Sequence, residues 1–146
     1  MAHQPKGIIE GKEEAVRIAS QRSQKEIRWF TDASERNGLV GAAAVYLFAT
    51  GGNATKIQTL GTSSDLTIYH AELIAIRIAL EAIRRSITTA TRASWAGLSV
   101  VIFTDSQPAI RAICTPGRQS GQYIVRKILK YINEIKVKTG TETVLR

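Results

Sequence analysis

The chain has 146 residues, is 44% apolar, carries a formal charge of +8 and holds one cysteine, Cys114. That length suits one domain with a real core and excludes two comfortable ones. No apolar run reaches the ~18 residues of a membrane span, so no membrane partner is expected. The opening residues lack the layout of a secretory signal, and a lone cysteine fits a reducing, intracellular setting, nuclear or cytoplasmic.

Residues 1–26 are rich in Lys, Glu, Gln and Ser with scattered apolar positions. A helix over 13–27 would have no wide apolar stripe, so the segment reads as a polar lead-in or linker to a domain at 27–146. Ile27-Arg28-Trp29-Phe30-Thr31-Asp32 is aromatic and β-branched enough for a strand. Asn37-Gly38 is a strong hairpin signal, returning the chain as a second strand over 39–48. After Gly51-Gly52-Asn53, a third strand is predicted at 56–60, completing an antiparallel meander.

Leu73, Ile76, Leu80, Ile83 and Ile87 recur at spacings of three and four, predicting an amphipathic helix with Thr67 as N-cap. The apolar run 98–103 reads as a strand buried on both faces, as parallel strands are. Ser106 and Pro108 mark the start of a short helix ending near Thr115-Pro116-Gly117. Tyr123, Ile124, Ile128, Tyr131, Ile132 and Ile135 mark another helix, and residues 143–146 open a last strand. The predicted order is β-β-β-α-β-α-α-β, an α/β mixed sheet with helices on its faces.

Three carboxylates sit where folding alone does not ask for them. Asp32 is read as ending the first strand. Asp105 follows the central 98–103 strand, and carboxyl ends of such strands are where ligands bind in open α/β sheets. Glu72 is read in the first turn of the long helix, bordering its sheet-facing side. Singly, each has an ordinary structural role: a cap for Asp105, a macrodipole partner for Glu72, a loop bond for Asp32. Together, if the first strand and the 98–103 strand are neighbours, they converge. Like charges at such range require a cation, and oxygen-only ligation suits Mg²⁺, with Mn²⁺ as the alternative.

The segments Trp29-Phe30-Thr31-Asp32-Ala33-Ser34, His70-Ala71-Glu72-Leu73 and Phe103-Thr104-Asp105-Ser106-Gln107 resemble the first three signature segments of the type 1 ribonuclease H family. They come in that family's order, and the resemblance covers residues 27–146. Tyr69-His70-Ala71-Glu72-Leu73 and Ser120-Gly121-Gln122-Tyr123 most resemble such domains in reverse transcriptases of fungal non-LTR retrotransposons. The resemblance implies a ribonuclease H-like sheet and an endonuclease that hydrolyses the RNA strand of RNA–DNA hybrids. It implies Asp32, Glu72 and Asp105 as catalytic metal ligands for two ions bound with substrate. It also implies hybrid contacts at Ser34, Ser106 and Gln107, and a fused reverse transcriptase as partner.

The family pattern includes a fourth carboxylate on a final helix, whereas this chain stops at Arg146, inside the last strand. That implies a C-terminally truncated domain, with last strand and helix incomplete and activity impaired. Two rivals stay open: a non-catalytic nucleic-acid-binding remnant, and a DNA-cutting relative. The second usually places its glutamate after the second aspartate, and Glu72 precedes Asp105. His70 is read as structural and Trp95 as loop packing. Arg118, Arg126, Lys127, Lys130, Lys136 and Lys138 read equally as a solvated face or as phosphate contacts.

Overall fold

The computed structural model describes residues 5–9, 13, 17, 26–47, 53–87, 95–115, 117 and 121–146. Six strands form one sheet: β1 (Lys6–Gly7), β2 (Glu26–Arg36), β3 (Leu39–Leu47), β4 (Asn53–Thr62), β5 (Ser99–Phe103) and β6 (Thr143–Leu145). Their spatial order is β1-β6-β5-β2-β3-β4. The β2–β3 and β3–β4 pairs are antiparallel, and β2–β5, β5–β6 and β1–β6 are parallel. Among the described residues, three helices pack with the sheet: α1 (Ile68–Ser86), α2 (Gln107–Cys114) and α3 (Gln122–Thr139). The predicted order from β2 onward is therefore the observed one.

Local chemistry accounts for the boundaries. Asn37 and Gly38 both have positive φ, 52° and 78°, the pair of left-handed residues a tight hairpin needs. Thr67 caps α1, its hydroxyl accepting from His70 N at 3.2 Å. Ser106 caps α2 by accepting from Ala109 N at 3.3 Å. Gly140 closes α3 in the left-handed region, its N–H donating to Lys136 O at 2.8 Å, as helix C-caps favour.

The main core lies between one sheet face and the helices α1, α2 and α3. Trp29, Ala44, Val100, Ile102 and Leu145 of the sheet meet Leu73, Ile76, Leu80 and Ile83 of α1, Ile110 and Ile113 of α2, and Ile128, Ile132 and Ile135 of α3. Burial of these apolar faces is the main stabilising term. Among the described residues, no helix is long and apolar enough to cross a membrane.

Several expectations need correction. Asp32 does not end its strand: β2 runs to Arg36 because pairing with β3 continues there, although pairing with β5 stops at Phe30. The third strand is longer than 56–60, since β3 offers partners from Asn53 to Thr62. Tyr123 is 77% exposed, because helical projection sets it opposite the buried Val125 and Ile128. Lys6 and Gly7, read as polar lead-in, form an edge strand against Val144 and Leu145. The suggested helix over 13–27 lies mostly outside the described residues, though Glu13 and Arg17 are helical.

Candidate metal centre

Two strands deliver the aspartates by matched register. Phe30 pairs with Phe103 where β5 ends, and two residues beyond each stand Asp32 and Asp105. Thr31 locks this junction, its buried hydroxyl donating to Phe103 O at 3.0 Å. The segment after β5 is held from the other side, with Thr104 N donating to Arg146 O at 2.8 Å. Asp105 therefore leaves a fixed strand end.

Glu72 arrives from α1. With Thr67 as the cap and Ile68 as the first helical residue, it stands in the second turn, not the first as expected. A macrodipole partner belongs in the first turn, so that ordinary role does not explain it. Its neighbours Ala71 and Leu73 are core residues, and Glu72 itself is only 5% exposed.

The three side chains meet: one carboxylate oxygen from each of Asp32, Glu72 and Asp105 lies within 4.8 Å of the others, the two aspartates exposed and the glutamate buried. Burial, then the charges of Asp105 and Asp32, push the Glu72 carboxyl up to about 7. A hydrogen bond from the Ala33 backbone and one from Thr104 act in the opposite direction. The Thr104 hydroxyl donates to Glu72 Oε2 at 3.5 Å, and Asp32 Oδ1 accepts from Ala33 N at 2.9 Å. These bonds leave most of the carboxylate lone pairs unused. The donor set thus fits a hard divalent cation, which takes oxygen ligands and would relieve the repulsion.

The remaining expected residues are distributed around this centre. Ser34 follows Asp32 by two positions on β2 and is exposed, on the same side of the strand by alternation. Gln107 is exposed at the start of α2, its Oε1 accepting from Arg111 Nη2 at 3.2 Å. Ser106 is half-buried, its hydroxyl engaged as the α2 cap. His70 lies with Nδ1 2.6 Å from Thr67 Oγ1 and edge-on to Tyr69, a structural placement. Trp95 is buried in the main core. Of the basic set, Arg126, Lys130 and Lys138 are exposed, Lys136 pairs with Glu142 at 2.7 Å, and Arg118 lies outside the described residues. Among the described residues, no fourth carboxylate joins the cluster; Glu134 is 3.6 Å from Arg84 instead.

Sequence reasoning missed Thr31 and Thr104. A signal was present: both aspartates close the same tripeptide, Phe30-Thr31-Asp32 and Phe103-Thr104-Asp105. The repeat reflects a shared task, an aromatic anchor and a hydroxyl clamp before the carboxylate.

No family model and no curated protein matches the chain. Solved structures do. LC11-RNase H1, isolated from compost by a metagenomic approach, is 17% identical with a TM-score of 0.60, 84% of each chain being covered. LC11-RNase H1 in complex with an RNA/DNA hybrid is 17% identical with a TM-score of 0.57, covering 82% of this chain and 83% of that one. RNase H1 from the halophilic archaeon Halobacterium salinarum NRC-1 is 20% identical with a TM-score of 0.51, 82% of each chain being covered. The fold is that of ribonuclease H: three antiparallel strands followed by parallel ones, with helices packed against the sheet.

Proposed function

We propose that this domain is a divalent-metal-dependent endonuclease that hydrolyses the RNA strand of RNA–DNA hybrids. The observation that carries the reading is the convergence of Asp32, Glu72 and Asp105 within 4.8 Å. They come from elements as far apart in sequence as β2, α1 and the end of β5. The fold likeness to LC11-RNase H1, one structure of which holds an RNA/DNA hybrid, supports the choice of substrate.

The three carboxylates would hold Mg²⁺ or Mn²⁺, two ions when substrate phosphate is present. When bound, such ions supply a nucleophilic water and charge neutralisation at the scissile phosphodiester. The protein's own work is positional. Asp32 presents an exposed oxygen from β2, Asp105 one from the turn just after β5, and Glu72 one from a buried helix face. Ser34, Ser106 and Gln107 lie beyond the aspartates in sequence and are assigned to the hybrid. Contacts to the 2′-hydroxyls in the minor groove are how such a site distinguishes RNA from DNA. A net charge of +8 favours approach to phosphate. The sequence texture of residues 69–73 and 120–123 supports a further part of the reading, a domain working beside a reverse transcriptase.

The test is incubation of an end-labelled RNA–DNA hybrid with the chain in Mg²⁺ or Mn²⁺, with EDTA as control. Internal cleavage of the RNA strand alone is expected. A second reading, hybrid binding without turnover, is favoured by the absence of a fourth carboxylate from the cluster among the described residues. Binding that survives Asp105→Asn, with no cleavage at any metal concentration, would select it. Absence of both binding and cleavage rejects the two readings together.

A further inference from the structure

β4 is the last strand of the sheet, with β3 as its single strand neighbour among the described residues. Ala44, a main-core residue, faces Lys56 across the ladder, which sets Lys56 and Gln58 on the helix side. Thr55, Ile57 and Thr59 alternate to the opposite side. All five are exposed, Ile57 at 77%. An open groove of about 680 Å³ runs between this strand and α1, lined by Trp29, Ala54, Lys56, Gln58, Ile78 and Ala82. The strand is therefore open on both faces. It has ten residues and no proline, and long exposed edges of that kind recruit another strand.

The residues of β4 favour one such strand above others. Thr55-Lys56-Ile57-Gln58-Thr59 reads nearly alike from either end: threonines outside, long polar side chains next, isoleucine at the centre. An antiparallel partner is read backwards, so this run is complementary to itself. Residues opposite each other across a ladder share a sheet face. A two-fold axis must therefore pass through a residue and not between two. On Lys56 it would oppose two ammonium groups, which destabilises. On Gln58 it would set Lys56 against Leu60, the residue that the register with β3 skips. On Ile57 it pairs Ile57 with its own copy, Thr55 with Thr59 and Lys56 with Gln58. Threonine pairs stabilise a ladder, and the isoleucine pair shields two exposed apolar side chains from water.

We propose that β4 pairs antiparallel with β4 of a second copy of this chain, about an axis at Ile57, joining the two sheets into one. β2 runs parallel to β4, since each is antiparallel to β3. The β2 strands of the two copies then run in opposite directions, and their Asp32 residues lie toward opposite ends of the joined sheet. Each metal centre stays open, so the pairing neither needs nor blocks the proposed nuclease activity. One strand per copy is small against the roughly 1,600 Å² of a standard interface. The dimer is therefore reversible and fills at high protein concentration. A charge of +8 on each copy opposes association until salt screens it. Added salt strengthens this pairing, the reverse of its effect on a complex bridged by nucleic acid.

The test is sedimentation equilibrium of the whole chain up to about 1 mM, at about 0.1 M and about 0.5 M salt. A monomer–dimer equilibrium that tightens with salt is expected. Ile57→Lys opposes like charges at the axis and should weaken the dimer by about tenfold or more, whereas Ile57→Val should stay within about threefold. Both should keep Tm within about 2 °C of the unaltered chain, because the side chain is exposed. A monomer at every concentration overturns the proposal and leaves the edge to a strand of another protein. A dimer that Ile57→Lys does not weaken, or that salt dissolves, overturns it as well. Should Ile57→Lys not fold, Ile57→Cys decides. Facing Cβ atoms about 5 Å apart let a short bis-maleimide link two copies, while Val137→Cys, exposed on α3, should stay unlinked. Equal linking of the two variants, or none, rejects the pairing.

Discussion

Phe30 stands directly opposite Phe103 in the β2–β5 pair, their rings stacked at 4.8 Å and within 9° of parallel. Each is followed by threonine and then aspartate, so the register that stacks the rings also sets the two carboxylates level. One strand continues past this point and the other stops. Asp32 is thereby held by its pairing with Ala43, and Asp105 is set in the turn that leads to the α2 cap. Glu72 then closes the cluster from above a floor of core residues.

Asp32→Asn and Asp105→Asn should each lower hybrid cleavage by about a thousandfold, about 4 kcal/mol of barrier. Each should also raise the melting temperature of the metal-free protein by removing one of three converging charges. Initial rates in Mg²⁺ and thermal melts in EDTA check the two halves separately. A fall in activity together with a fall in metal-free Tm would mean that the carboxylate serves folding and not metal.

The raised Glu72 carboxyl makes metal-free stability depend on pH. Its ordinary value is 4.5 and its folded value about 7, so between these the folded state holds a proton that the unfolded state has released. Stability from this group is full below about pH 4.5 and falls as pH rises toward 7. Metal reverses the trend, because binding expels the proton. The rise in Tm on adding Mg²⁺ should therefore be larger at pH 8 than at pH 5.5. Glu72→Gln should flatten the metal-free profile across that window.

The sequence shows most of the scaffold because its periods are clean. The stripe Leu73–Ile76–Leu80–Ile83 is buried as spaced, and the β5 run Val100-Val101-Ile102-Phe103 is buried on both faces. The three carboxylates are legible only as a set, and their convergence needs the β2–β5 register, which is a non-local property. β1 was illegible for a related reason. Lys6 and Gly7 have no strand propensity of their own, and their ordering comes from the edge that β6 offers them. Tertiary pairing there overrides local composition.

Gly7 tests that edge strand. A Cβ at this position would lie 2.6 Å from Cys114 Sγ and 2.8 Å from Ile110 Cγ2, so β1 packs on α2 at a distance only glycine allows. Gly7→Ala should cost about 1–3 kcal/mol in urea unfolding, the usual range for an overpacked contact. Cys114→Ala in the same chain should recover part of that loss by vacating the space. A double-mutant cycle with no coupling would show that β1 does not seat against α2 in solution.

Among the described residues, the Thr104 hydroxyl bonds both halves of the centre. It accepts from Ser106 N at 3.1 Å, fixing the turn that carries Asp105, and donates to Glu72 Oε2 at 3.5 Å. Thr104→Val keeps the shape and removes both bonds. The longer bond belongs at the low end of those made to charged groups, about 1.5 kcal/mol, so Mg²⁺ affinity should weaken roughly tenfold. Thr104→Ser keeps the hydroxyl and should stay within about twofold of the unaltered chain, read from the Mg²⁺ dependence of Tm and of cleavage. If serine fails as badly as valine, the methyl group's packing matters and not the hydroxyl. If neither changes affinity, Glu72 is oriented by its buried helix face alone.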